Sequence, residues 1–462
     1  MMMAEAQDQG GRHQHHEGQW GWVVVGALFM VSSLVFGLIR SLGVFFVEFV
    51  LYFNESAQAV SWITSIGLAM QQLFSPLATA LCNMYGTRPI VIVGGFLSGL
   101  GLILASQATS LTHLYVTMGL ISGIGWAFVF TPTVASVMQY FTRRRSLAMA
   151  LGFTGVGLSS FAFSPLFQLL LEVYAWRGAL LILGGLSLNI MACGALIRPI
   201  TATKAMDKTL KKSSLLSRLS VYFELPLLLQ KPFLTYGAAI TFFNAGYFIP
   251  YVHLVAHSRH AGFSEYQAAF VISATGVADI VGRVLSGWVS DLGRLRLVHM
   301  LSLWTLLLGL FLLALPLGTL GGYVGLLTTS LAQGLCSGAM TPLVFAVVPE
   351  IVGMERMLGA LGLLQLIESI GGLLGAPLSG WLKDTTGTYS ASFAVAGGFL
   401  LLGSAVTATL PGFCSCTSPA PLNDAEGAPH NEESKQESCP EKYSLALTPL
   451  SEKNHPRSSP LH

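Results

Sequence analysis

Polar and apolar residues do not alternate along this chain; the apolar ones run together in long blocks. Blocks of about twenty mainly apolar residues lie near 22–46, 60–82, 89–108, 113–138, 146–170, 178–198, 233–256, 266–290, 297–316, 322–348, 357–382 and 390–411. A helix of about 20 residues crosses a hydrocarbon layer of roughly 30 Å. That layer holds no water for backbone amides and carbonyls, so each block must satisfy them internally as a helix. The pattern predicts an all-α membrane protein with twelve transmembrane helices. The polar remainder is a tail over 1–20, a linker over 199–232, and a tail over 412–462. The last is rich in Ser, Pro and Glu and is expected to be disordered.

Composition sharpens this reading. Of 462 residues, 53% are hydrophobic and 10% charged, where soluble domains carry roughly 25% charged residues. The 50 glycines point the same way, because helices in lipid associate through small residues that let backbones approach. Runs such as GGFLSGLG (94–101) and GGLLGAPLSG (371–380) read as packing seams. No predicted strand precedes them, so they are not phosphate-binding loops. The first apolar block is too long for a cleavable signal peptide and has no clear cleavage site.

Basic residues set the orientation. With a cytosolic amino terminus, fourteen Lys and Arg fall in inner loops, among them Arg143, Arg144, Arg145 and Arg294; only Arg177, Arg259 and Lys383 fall in outer loops. Such a positive-inside bias predicts that both termini are cytosolic.

Three minor features carry little chemistry. RHQHHEG (12–18) lies in a tail where nothing orders the imidazoles, so no metal site is expected, and no cofactor is implied anywhere. Asn54-Glu55-Ser56 is a glycosylation sequon too close to the membrane for ready use. None of the six cysteines lies in an outer loop, so no structural disulfide is implied; Cys414 and Cys416 are candidates for acylation.

The chain also repeats itself. Thr131-Pro132 is answered by Thr341-Pro342 at 210 residues, Ser164-Pro165 by Ala376-Pro377 at 212, and Gly86 and Arg88 by Gly293 and Arg296 at 207 and 208. The repeat predicts a bundle of six helices over 21–198 and a second over 233–411. Two parallel six-helix pseudo-repeats around a midplane site describe the major facilitator fold. Its inner-loop pattern of a Gly, an acid one turn on, then Gly-Arg is similar to Gly287, Asp291, Gly293 and Arg294. The first repeat keeps only Gly86 and Arg88, with Asn83 where the acid would be.

Against this background VISATGVADIVGRVLSGW (271–288) stands out, with Asp279 and Arg283 in mid-span. Each charge costs about 2.5–3.5 kcal/mol there on insertion scales. The two are one helical turn apart, acid first, which favours pairing. One reading is an ion pair that locks this helix to a neighbour. The other is a pair facing a central cavity, where the Arg283 fork clamps a substrate carboxylate and Asp279 takes and gives up a proton.

EGQWGWVVV (17–25) and YFTRRRSLAMALGFTGVG (140–157) resemble the two signatures of the monocarboxylate transporters, solute carrier family 16. Gln19 and Ala150 depart from them at positions where the family has Gly. The resemblance implies a secondary carrier whose Asp279–Arg283 pair couples a small monocarboxylate to a proton. It places Arg40 where the family has a substrate- and proton-linked Lys, and makes Glu368 a second candidate for proton coupling. Asn244 and Tyr247 are expected to line the cavity or to bond across helices. Arg143, Arg144, Arg145, Asp291 and Arg294 are expected at an inner gate. A single-span glycoprotein chaperone is a candidate partner, and the plasma membrane or the Golgi membrane the expected location.

Other classes fit less well. Asp279 is the only Asp inside a predicted span, which excludes an intramembrane aspartyl dyad, and no Gly-x-Ser-Gly nucleophile motif occurs. A channel or receptor has no need of the repeat. No nucleic-acid partner is indicated. Proton-linked symport is the expectation; its alternative is a pH-independent facilitator of a larger or aromatic anion.

Overall fold

The first apolar block forms α1 (Gln19–Phe53), whose interior amides and carbonyls pair within its own ladder. The structure is a computed structural model and describes residues 19–55, 57–141, 144–198 and 223–410. The histidine-rich tail, Ser56 of the sequon, Arg143, most of the basic linker, and Cys414 and Cys416 lie outside the described residues.

After α1 come α2 (Ala57–Leu73), α3 (Ser75–Tyr85) and α4 (Thr87–Ala105). A short helical turn then leads through a π-helical segment, Tyr115–Ile121, into α5 (Ser122–Tyr140). Next is α6 (Arg145–Leu196), which turns at Ala175, where φ is 54°. Two predicted spans are therefore joined there by a single non-helical residue rather than by a loop. The trailing helices are α7 (Lys231–Tyr247), α8 (Ile249–His260), α9 (Glu265–Asp291), α10 (Leu297–Gly318), α11 (Gly322–Ala346), α12 (Val348–Val352), α13 (Met357–Thr386) and α14 (Ser390–Ala408). Among the described residues every regular element is helical.

Eight helical stretches among the described residues are long and apolar enough to cross a bilayer. The stretch Leu297–Val352 holds two predicted spans, 297–316 and 322–348, and the span at 357–382 is represented by the apolar stretch Met357–Leu373. The predicted spans at 60–82 and 233–256 are not among the eight, and the reason is local. Pro76 cannot donate to the Gln72 carbonyl, nor Pro250 to the Gly246 carbonyl, so helix breaks divide α2 from α3 and α7 from α8. The same two rods carry Gln71, Gln72 and Asn244, which lower their hydropathy. Broken and polar helices persist in a membrane where they line a cavity rather than lipid.

Helix α1 begins at an end of the bundle where leading and trailing helices share one core. Leu28, Phe130 and Phe153 join Phe345, Val348 and Leu364 there. Phe153 stacks on Phe345 at 5.2 Å, and Phe130 meets Phe345 edge-on at 5.8 Å. Asp291, at the end of α9, accepts hydrogen bonds from the amides of Ser146 (3.1 Å) and Leu147 (2.9 Å), in the first turn of α6. A carboxylate at a helix amino terminus is favoured by the unpaired amides and by the helix dipole. At the opposite end a second cluster, including Phe45, Phe49, Phe167 and Trp176, belongs to the leading helices alone.

Candidate functional site

Helix α9 inverts the usual soluble pattern. Phe270, Val277, Val281 and Trp288 are exposed, while Thr275, Asp279, Arg283, Ser286 and Ser290 form a buried polar stripe at helical spacing. Its start is well defined: the Ser264 hydroxyl accepts from the Gln267 amide (3.3 Å) and the Gln267 side chain accepts from the Ser264 amide (3.0 Å).

In that stripe the Arg283 Nε donates to Asp279 Oδ2 at 2.7 Å and its Nη2 donates to Asp279 Oδ1 at 3.2 Å. The side chains are 0% and 1% exposed. Tyr251 of α8 donates to Asp279 Oδ1 at 3.4 Å and shares a 2.7 Å hydrogen bond with Ser337 of α11. Small residues bring the neighbouring backbones to the pair. Gly338 of α11 abuts the Asp279 carbonyl, and Gly157 of α6 lies against Ile280 and the Asp279 carboxylate. One arginine nitrogen is left over, because the buried Nη1 has no hydrogen-bond partner among the described residues.

Arg283 forms part of the wall of a cavity of about 100 Å³ between leading and trailing helices. That is below the roughly 300 to 1,000 Å³ of drug-sized ligand pockets, so the walls must part to admit a substrate larger than a few heavy atoms. Phe36, Phe130, Phe153, Phe243 and Phe345 supply apolar wall; Gln71, Gln72, Asn244, Tyr247, Gln365 and Glu368 supply polar groups. Gln72 donates to Glu368 Oε1 at 3.3 Å across the contact between α2 and α13. Asn244 donates to the Glu368 backbone carbonyl at 2.8 Å, and the Tyr247 hydroxyl lies 3.2 Å from that of Thr341.

Four residues singled out in the sequence, Arg283, Asn244, Tyr247 and Glu368, therefore share one cavity. Asp279 is not part of its wall and stands behind Arg283. Arg40 lies in α1, one turn beyond the cavity residue Phe36, and its side chain is outside the described residues. At the basic end Arg144 and Arg294 are exposed, and the Arg145 Nε donates to the Phe141 carbonyl at 3.1 Å. Asp291 meets backbone amides there. Gln71, Gln72 and Gln365 escaped the sequence reading. A signal was present for Gln71 and Gln72, since two adjacent polar amides inside an apolar span must find partners away from lipid.

The sequence profile of the Major Facilitator Superfamily matches residues 25–331 and 236–433. Monocarboxylate transporter 13 of Rattus norvegicus is 53% identical over 88% of this chain and 92% of its own length. Monocarboxylate transporter 11 of Mus musculus is 42% identical over 86% of this chain and 88% of its own. Among solved structures, the transporter FucP in the outward conformation superposes with a TM-score of 0.65 at 16% identity, covering 85% of this chain and 98% of that one. The human organic anion transporter MFSD10 gives 0.62 at 16% identity, covering 84% and 99%.

Proposed function

Since the chain belongs to the monocarboxylate transporter family within the Major Facilitator Superfamily, we propose that it carries a small monocarboxylate together with a proton by alternating access. The observation that carries this reading is the buried Asp279–Arg283 fork with one nitrogen left over at a cavity wall. While Asp279 is ionised it holds two of the arginine donors, so an incoming carboxylate meets only Nη1. A proton on Asp279 removes its charge and weakens its hold, and Arg283 is then released to take both oxygens of the substrate. When the substrate leaves, Arg283 returns to Asp279 and the proton is expelled. Proton and anion then move together, and no net charge crosses.

Alternating access requires the bundle over 21–198 to rock against that over 233–411. The contacts that would have to part at the basic end are the Phe153–Phe345 stack and the Asp291 cap on α6. The positive-inside bias supports a cytosolic placement of that end, in the plasma membrane or the Golgi membrane. An epitope inserted in 199–232 or in the carboxyl tail should stain only after permeabilisation; staining of intact cells overturns this orientation.

Arg40 favours the second reading, a facilitator indifferent to pH, because Arg stays charged in essentially any protein setting. It can attract an anion but cannot carry the transported proton, which leaves Asp279 to do so. The test is uptake of labelled pyruvate by proteoliposomes with and without an inward proton gradient. The gradient should drive accumulation in the native protein and in Arg40→Lys, and not in Asp279→Asn. If it drives accumulation only in Arg40→Lys, the facilitator reading replaces the symporter.

A further inference from the structure

The cavity has two polar poles of opposite chemistry, and they lie at different seams between leading and trailing helices. One is Arg283, at the seam where α6 meets α9 through Gly157. It is a donor pole, with Nη1 buried and lacking a partner among the described residues. The other lies at the seam where α2 meets α13 through the Gln72–Glu368 hydrogen bond. There the Gln71 Oε1 is buried without a partner among the described residues, in the same cavity wall as Glu368. Gln71 makes this an acceptor pole. Aromatic side chains such as Phe36, Phe130 and Phe243 complete the wall.

A short acid with a purely apolar tail satisfies Arg283 and leaves the acceptor pole unmatched. A buried acceptor without a partner is costly, and a ligand that supplies the donor recovers that cost. We propose that the preferred substrate is a monocarboxylate with an apolar or aromatic body that carries a hydrogen-bond donor, a hydroxyl or an ammonium group, at the end remote from the carboxylate. Gln71 is the residue that selects for that donor. The inference rests on the carboxylate-carrier reading and narrows its substrate class. Because each pole belongs to a different seam, such a ligand also engages both contacts between the moving parts at once.

The test uses the full-length protein in proteoliposomes and a matched pair of acids, 3-phenylpropionate and 3-(4-hydroxyphenyl)propionate. The hydroxylated acid should show a KM about ten-fold lower in the native protein, the factor expected of one well-made hydrogen bond. In Gln71→Met, which keeps the size and loses the acceptor, the ratio of the two KM values should fall to about one. In Gln71→Glu, which keeps an acceptor, the preference should persist. Gln71→Ala supplies the same readout if the Met variant does not reconstitute. Uptake of both acids with equal KM in the native protein overturns the inference and leaves the carrier reading standing, and so does a ratio that survives loss of the acceptor. Uptake of neither acid, and none of pyruvate, overturns the carrier reading and the inference with it.

Discussion

Replacing Arg283 by Lys should lower monocarboxylate uptake by about a hundred-fold, roughly 2.7 kcal/mol, while the protein still reaches the membrane. Lysine keeps the positive charge, so Asp279 is not left alone in a buried site. It loses the planar fork, which now makes two hydrogen bonds to Asp279 and has a third nitrogen to spare. A merely structural pair makes a different prediction. Buried ion pairs are often replaceable by apolar residues at little cost, whereas removing one partner is strongly destabilising. The double variant Asp279→Leu with Arg283→Leu therefore separates the two roles. It should express and insert, and it should transport nothing. Normal uptake by the double variant would reduce the pair to a packing element.

Gly338→Ala should be nearly as damaging, for a reason that lies in the backbone. A β-carbon at Gly338 would run into the carbonyl oxygen and Cα of Asp279 on the facing helix. Neither atom is part of a side chain that can swing away, so α9 and α11 must move apart. Overpacking of this kind costs about 1–3 kcal/mol. The displacement falls on the residue proposed to carry the proton. A lower melting temperature in detergent and a loss of uptake are expected together. Gly398→Ala is the control, since nothing lies within 4 Å of a β-carbon there, and it should melt and transport like the native chain. Equal behaviour of the two variants would show that the close approach at Asp279 is not required.

Much of this was legible in residue order, and the unread part has a common cause. Asp279 and Arg283 declared themselves because their pairing is local, four positions along one helix. The Gln72–Glu368 hydrogen bond joins residues 296 apart in the chain, and Tyr251 reaches Asp279 from α8 while itself paired with Ser337 of α11. No periodicity reports such a contact. Asp291 was legible as the acid of an inner-loop motif, which does not say what it meets. Its hydrogen-bond partners are the amides of Ser146 and Leu147, which every helix start leaves unpaired whatever its side chains.

Residue order by itself determined the helical class and the placement of most spans, because in lipid each segment must close its own hydrogen bonds and reveals this by length and hydropathy. It did not mark where helices break: Pro76 and Pro250 sit at breaks, while Pro132 and Pro342 stay inside continuous helices. Which faces meet was decided only in the tertiary structure. The rotation of each helix about its axis follows from how small residues such as Gly157 and Gly338 seat against neighbours distant in the chain. That rotation aims Arg283 and the Gln71–Gln72–Glu368 group into one cavity from two different seams, while the exposed apolar faces of the same helices turn to lipid.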